Sequence, residues 1–442
     1  MWREALYAKL QKVGFGGKTL SLIKSMYRND CIKFLINGHY SAPLWLTQGV
    51  KQGKLAIIII IIIIINTSFI VGCNLSPLLF SIFINDLGQE LNLTGCGLTL
   101  SALSISSIFF ADDIVLVSRD KQGLDKLIMI AKRFCDNHHL QISATKSKIM
   151  SHDAATGQIS FNIDNDDTLS LDQVLAFKYL GITVSSKPYG LFKAHNENVK
   201  AKAKQYLYRV LSLVKTGPDR SDLAFTLWRN VALPAILYGC EVVPLNQDTI
   251  QEIERCQARV GKFMLQIPSS SANVCTYIDC GFRPIWAIIA ERVLTYTNKT
   301  MCKPSSNWAK LAFEYHLGTK PASSYLKYLI KWKDATQTFG VHPKQVEKNV
   351  KYFAIQDIIN SKNQTSTTAF PLSCPGISKN NRWFRPKPWV KDSGFTKIFA
   401  EFRTCNAGLG NRGPTKDGRF YKLCPLCSTD ETIKINNEVF QF

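Results

Sequence analysis

Two adjacent aspartates, Asp112 and Asp113, interrupt an apolar stretch, "SSIFFADDIVLVS" over residues 106–118. The flanking runs, Ile105 to Phe110 and Ile114 to Val117, are β-branched and aromatic, which predicts two short strands joined at Ala111-Asp112-Asp113. A hairpin tip would hold both carboxylates at one exposed point on a rigid support. Like charges side by side repel, and a cation relieves the repulsion. Oxygen-only ligands suit Mg²⁺, which keeps waters and phosphate oxygens in its shell. Two such ions can activate an attacking hydroxyl and stabilise a leaving pyrophosphate, provided another strand brings a further carboxylate. A solvated turn containing Asp-Asp is the plainer alternative, because Asp is common in turns.

A second place with ligand spacing is Cys424-Pro425-Leu426-Cys427, half of a zinc site. The other eleven of the thirteen cysteines are scattered singly. An odd count without framework spacing, and no signal peptide, points to reduced thiols in the cytoplasm or nucleus. The 442 residues carry 54 Lys and Arg against 33 Asp and Glu, a net of +21. That field favours polyanions, most simply nucleic acid. A basic protein without such a partner is the alternative.

The elements that would position these residues can be read in outline. Residues 3–28 have helical periodicity, with Leu6, Leu10 and Val13 on one face, then Leu20, Ile23 and Met26. Residues 31–47 alternate around Asn37-Gly38, a hairpin turn pair. "LSPLLFSIFINDLGQEL" (75–91) fits a buried helix that tolerates Pro77 in its first turn. Lys121 to Leu140 is amphipathic, short strands follow near 140–150 and 174–184, and 190–360 is mostly helical and basic. Residues 362–395 are rich in Ser, Thr, Asn and Pro. Nine consecutive isoleucines, Ile57 to Ile65, stand apart from all of this. Their apolar stretch is shorter than the roughly 20 residues a membrane helix needs. An extra buried strand is a second reading, and a tract that is an aggregation hazard and not selected protein sequence is a third.

In context the aspartate pair resembles the Phe/Tyr-x-Asp-Asp motif of reverse transcriptases from non-LTR (LINE-type) retrotransposons. "QGVKQG" (48–53) and "GCNLSPLLFSIFINDL" (72–87) together resemble that family's template- and nucleotide-contacting phrase. "LQISATKSKIM" (140–150) is similar to the motif whose lysine faces the triphosphate, and "FKYLGITV" (177–184) to the primer-grip hairpin. "LPAILYGCEVV" and "GFRPI" resemble the thumb that follows. The resemblance implies an α+β fold. An incomplete polymerase palm, an antiparallel sheet with helices, would occupy 1–185. A mostly helical thumb would follow over 186–361, then a small irregular C-terminal segment over 362–442. It implies metal-proximal roles for Asp112 and Asp113, with Lys146 near the leaving pyrophosphate. Lys51, Gln52, Gly53 and Phe110 would contact substrate, and Phe177, Tyr179 and Gly181 would support the primer. Mg²⁺, an RNA template, a DNA primer and deoxynucleotides are the implied cofactor and partners, and no stable membrane association is expected.

Three departures qualify this. The palm strand carrying the family's third aspartate should precede Met1, and Glu4 is no substitute because it belongs to the following helix. Deleting Lys54 to Gly72 restores the unbroken phrase "GVKQGCNLSPLLF", so this segment reads as an insert such as a retained intron or an expanded repeat. Cys424 and Cys427 resemble half of the family's zinc knuckle, but no histidine follows His342 and no cysteine follows Cys427. A Zn²⁺ site would be partial, with Cys405 an atypical third ligand. The expectation is a fragment, truncated at both ends, of an RNA-directed DNA polymerase that is inactive as it stands. The alternatives are a non-enzymatic RNA- or DNA-binding remnant, a membrane-associated protein, and a decayed element that yields no stable protein. The lysines Lys200, Lys202 and Lys204, beside aromatics, offer the thumb a basic face.

Overall fold

The computed structural model describes residues 3–28, 31–32, 35–36, 39–40, 42, 44–45, 62–64, 76–100, 103–111, 113–151, 157–163, 167–187, 190–215, 220–271, 273, 276–277, 280–318, 329 and 342–359. The fold is α+β, with helices and small, mostly antiparallel sheets. The chain forms two compact units, residues 1–195 with 311–315, and residues 196–310 with 316–442.

The first unit opens with α1 (Arg3–Lys12) and α2 (Gly17–Arg28). The periodicity over 3–28 therefore belongs to two helices, parted where Gly14 takes a φ of 95°. The break corrects two core assignments. Val13 lies beyond the end of α1 and is 61% exposed. On α2 it is Tyr27, not Met26, that joins Leu20 and Ile23 in the core. Next come β1 (Cys31–Ile32), β2 (Leu35–Ile36), β3 (His39–Tyr40) and β4 (Leu44–Trp45), paired β1 with β4 and β2 with β3 as nested antiparallel ladders. That is the hairpin its alternation predicts. Strand β5 (Ile62–Ile64) comes from the isoleucine tract, and α3 (Ser76–Leu93) is the helix expected after it.

Four short strands lead to the aspartates: β6 (Leu98–Leu100), β7 (Leu103–Ile105), β8 (Ser107–Phe110) and β9 (Asp113–Leu116). Helix α4 (Lys121–Asn137) begins where the Asp120 side chain accepts the Gly123 N–H at 2.6 Å. Strand β10 (Lys148–Ile149) runs parallel to β12 (Asp167–Gln173), which pairs antiparallel with β11 (Gly157–Ile163). The β11–β12 hairpin lies in a stretch the sequence reading left unassigned. Last, β13 (Ala176–Tyr179) and β14 (Ile182–Ser185) form a hairpin. Its turn residues Leu180 and Gly181 take φ of 43° and 87°, the left-handed pair of a type I′ turn.

One core holds this unit. Leu6 and Leu10 of α1, Phe80, Phe83 and Leu87 of α3, Ile114 and Leu116 of β9, and Leu127 and Phe134 of α4 all belong to it. Each such side chain removed from water contributes about 2 kcal/mol. A charge is enclosed with them. Lys9 is 8% exposed; its Nζ donates to the Phe83 carbonyl at 2.7 Å and lies 3.1 Å from Asp86. Burial lowers its pKa, and Asp86 opposes that shift. The ammonium also stands over the Phe83 and Phe134 rings.

The second unit is helical: α5 (Lys193–Val214, which starts just before the unit), α6 (Arg220–Leu227), a π-helical turn over Trp228–Ala232, α7 (Leu233–Ile236), α8 (Gln247–Leu265), α9 (Ile285–Met301), α10 (Trp308–Gly318, part of which belongs to the first unit) and α11 (Pro343–Ile359). Trp228 is fully buried and donates to Gln257 at 3.3 Å. Gly261 of α8 is needed for close approach: a Cβ there would lie 2.7 Å from Thr276. No helix among the described residues is long and apolar enough to cross a membrane.

Candidate functional site

Strands β8 and β9 form the expected hairpin, with Phe110 opposite Asp113. Ala111 sits in the turn at φ 53°, a left-handed conformation that a non-glycine residue adopts at some cost. Asp112 lies outside the described residues. Asp113 corrects the picture of an exposed tip, for it is only 2% exposed. The reason is topological. In the sheet order β5-β9-β8, β9 is the central strand, so its first residue starts inside the sheet.

Alternation assigns the two faces of this sheet. Ile114 and Leu116 enter the main core, while Asp113, Val115 and Val117 point the other way. Phe177 and Tyr179 of β13 pack against Val115 and Val117, together with Met150 and Val174. The Tyr179 phenol is pushed up to about 12, first by burial and second by the negative charge of Asp113. The structure thus brings Asp113 together with Phe177 and Tyr179, residues far apart in sequence. On β8, Phe110 pairs with Asp113 and Ile108 with Val115, and both remain exposed, Phe110 at 57%. An aromatic and an aliphatic side chain next to a carboxylate make a surface on which a base or sugar can lie.

Lys146 sits exposed in the turn before β10, its N–H donating to the Ser143 carbonyl at 3.2 Å. Its ammonium has no ion-pair partner among the described residues, whereas Lys148, two positions on, is bound to Asp172 at 2.5 Å. The strand that starts at Lys148 leads to Met150 in the cluster under Tyr179. Gly181 occupies the turn of the β13–β14 hairpin. Lys51, Gln52, Gly53, Cys424 and Cys427 lie outside the described residues.

An extra strand is one of the readings the isoleucine tract allows, and β5 is such a strand. It pairs antiparallel with β9, Ile62 opposite Val115, Ile63 opposite Ile114 and Ile64 opposite Asp113. The isoleucine tract thereby covers the edge of β9 that the β8 hairpin leaves open. β-Branched residues favour strands, and that much was visible; which edge they would take was not. The residue facing Asp113 across this ladder is an isoleucine, which contributes no ligand. No group of three or more His, Cys, Asp or Glu side chains among the described residues could hold a metal.

Residues 1–184 match the family model described as "Reverse transcriptase (RNA-dependent DNA polymerase)". This part of the chain is similar to the reverse transcriptase family. Its curated relatives are of the non-LTR kind. Two are Retrovirus-related Pol polyproteins from type-1 retrotransposable element R2 of Popillia japonica. One is 23% identical over 261 residues, 57% of this chain and 38% of the relative. The other is 23% identical over 280 residues, 61% of this chain and 35% of the relative. The chain spans a little over a third of the length of these relatives.

Proposed function

We propose that the chain binds an RNA template and a DNA primer across the face formed by β8, β9 and the β13–β14 hairpin, and that it does not extend the primer as it stands. In this reading residues 1–185 are a palm and 186–361 a thumb. Phe110 lies against the template–primer, Phe177 and Tyr179 support the primer end, and Lys146 meets phosphate. The observation that carries the reading is the convergence of Asp113, Phe110 and Tyr179 on one face of a hairpin whose sequence is similar to a polymerase family.

Magnesium, which the family implies, finds part of a donor set. Asp113 is the hairpin carboxylate among the described residues, it is buried, and its other ladder neighbour is Ile64. One buried carboxylate does not by itself hold two ions. Hence the reading stops at binding.

Primer extension by the full chain on an RNA template, with Mg²⁺ and deoxynucleotides, tests it alongside a duplex-binding assay. The expected result is salt-sensitive binding without incorporation. Incorporation by the wild type that disappears in Asp112→Ala and Asp113→Asn would make the chain an enzyme and overturn the inactive reading. No binding would overturn the reading as a whole.

A further inference from the structure

Helices α1 and α2 enclose a groove of about 550 Å³ whose lining includes no residue of the hairpin face. Three cations line it: Arg3 from α1, and Lys24 and Arg28 from α2. Arg3 is partly committed, since its Nη1 donates to the Tyr27 carbonyl at 2.6 Å. Lys24 stands over the Tyr7 ring at 5.3 Å, and Arg28 is exposed. Neither has an acidic partner among the described residues. Glu4 lines the same groove and makes no ion pair with either of them.

The pattern on α2 is regular. Ser21, Lys24, Ser25 and Arg28 stand at i, i+3, i+4 and i+7 along the groove; the Ser25 hydroxyl donates to the Leu22 carbonyl at 2.8 Å, which leaves Ser21, Lys24 and Arg28 as the stripe of donors. Lys24 and Arg28 are separated by about 6 Å along the helix axis. A row of donors at that interval matches an anion repeated along a strand better than a single compact anion. Arg28 offers a planar fork to phosphate oxygens and Lys24 a point charge. The rings of Tyr7 and Tyr27 are buried under Lys24 and Arg3, so they hold the cations in place and do not reach for a base. Contacts to the backbone alone, without base readout, are what such a groove can make.

We propose that the α1–α2 groove binds the phosphodiester backbone of a single RNA strand, through Lys24 and Arg28 with the Ser21 hydroxyl. The proposal rests on the nucleic-acid-binding reading above and adds a second contact surface to it. The test is the salt dependence of binding of a labelled 20-nucleotide single-stranded RNA to the full chain. Two backbone contacts on a single strand account for a slope of about 1.4 in log K against log salt. The double variant Lys24→Ala/Arg28→Ala is expected to flatten the slope by that amount, and Arg28→Lys to retain it. Inorganic phosphate at millimolar concentration is expected not to compete. An unchanged slope in the double variant would overturn the groove while leaving the hairpin reading intact. Competition by inorganic phosphate, or by poly-glutamate in the wild type but not in the double variant, would reassign the groove to a compact anion or an acidic peptide. Failure of the wild type to bind the single strand would overturn the groove, and failure to bind an RNA–DNA duplex as well would overturn the hairpin reading.

Discussion

Helices α2 and α5 look alike as charged sequences, and the structure uses their cations in opposite ways. On α5, Lys200 is paired with Glu197 at 3.0 Å and Lys204 lies 3.5 Å from Glu252. Lys202 donates to the Ala235 carbonyl at 2.5 Å. On α2, Lys24 and Arg28 find no acid among the described residues and line an open groove. The basic face expected of the thumb is thus largely spent on internal bonds. A count of basic residues overstates what a polyanion meets, because each internal ion pair removes charge from the field that attracts it.

The contrast can be sharpened by removing cations one at a time. The largest effect is expected on α1, beside the groove, where Lys9 is enclosed. Lys9→Ala should lower stability by about 3 kcal/mol in chemical denaturation, since it removes a charge-assisted bond and leaves a void among aromatic rings. An unchanged midpoint would mean that Lys9 is not held as described.

Two acids on α8 extend the comparison. Glu252 is raised by burial, but Arg255 and Lys204 outweigh that and lower it. Glu254, two residues on, has only neutral donors: the Tyr277 hydroxyl, the Ile285 N–H at 2.7 Å and the Gln257 amide. Burial raises it to about 7 against those bonds. A raised carboxyl pKa favours the folded state at low pH. Its contribution is complete below about pH 4.5 and is lost as pH rises through about 7, at most about 3 kcal/mol. Denaturation at pH 5 and pH 8 should show that loss, and Glu254→Gln should flatten it. Equal pH dependence in both proteins would contradict it.

Smaller effects follow. Lys202→Ala removes a charge-assisted bond and should cost about 2 kcal/mol. Lys24→Ala should cost no more than about 1 kcal/mol, the worth of its contact with the Tyr7 ring, and Arg28→Ala no more than about 0.5 kcal/mol, since neither cation has an ion-pair partner among the described residues. If the α2 variants destabilise as much as Lys202→Ala, the distinction between the two helices fails.

What was legible in the sequence follows from the range of each interaction. The helices at 76–93 and 121–137 and the hairpins at Phe110–Asp113 and Tyr179–Ile182 rest on local periodicity and turn chemistry, and they were visible. The β11–β12 pair was missed although Ile159 and Phe161, then Leu169 and Leu171, alternate along it; the run of Asn and Asp in the sequence between them hid the pattern. Burial of Asp113 was not legible, because it depends on β5 arriving from some fifty residues upstream in the chain. The fates of Lys202 and Lys204 depend on Ala235 and Glu252, again distant partners. The candidate site was therefore readable as a set of residues but not as an environment.

The central claim is that the β8–β9 and β13–β14 hairpins, not the basic helix α5, form the nucleic-acid face. Hydrogen exchange of the full chain with and without an RNA–DNA duplex tests it most directly. Protection should appear over residues 107–116 and 176–185, with 193–214 little changed. Protection confined to 193–214, with both hairpins exchanging as in the free protein, would contradict it.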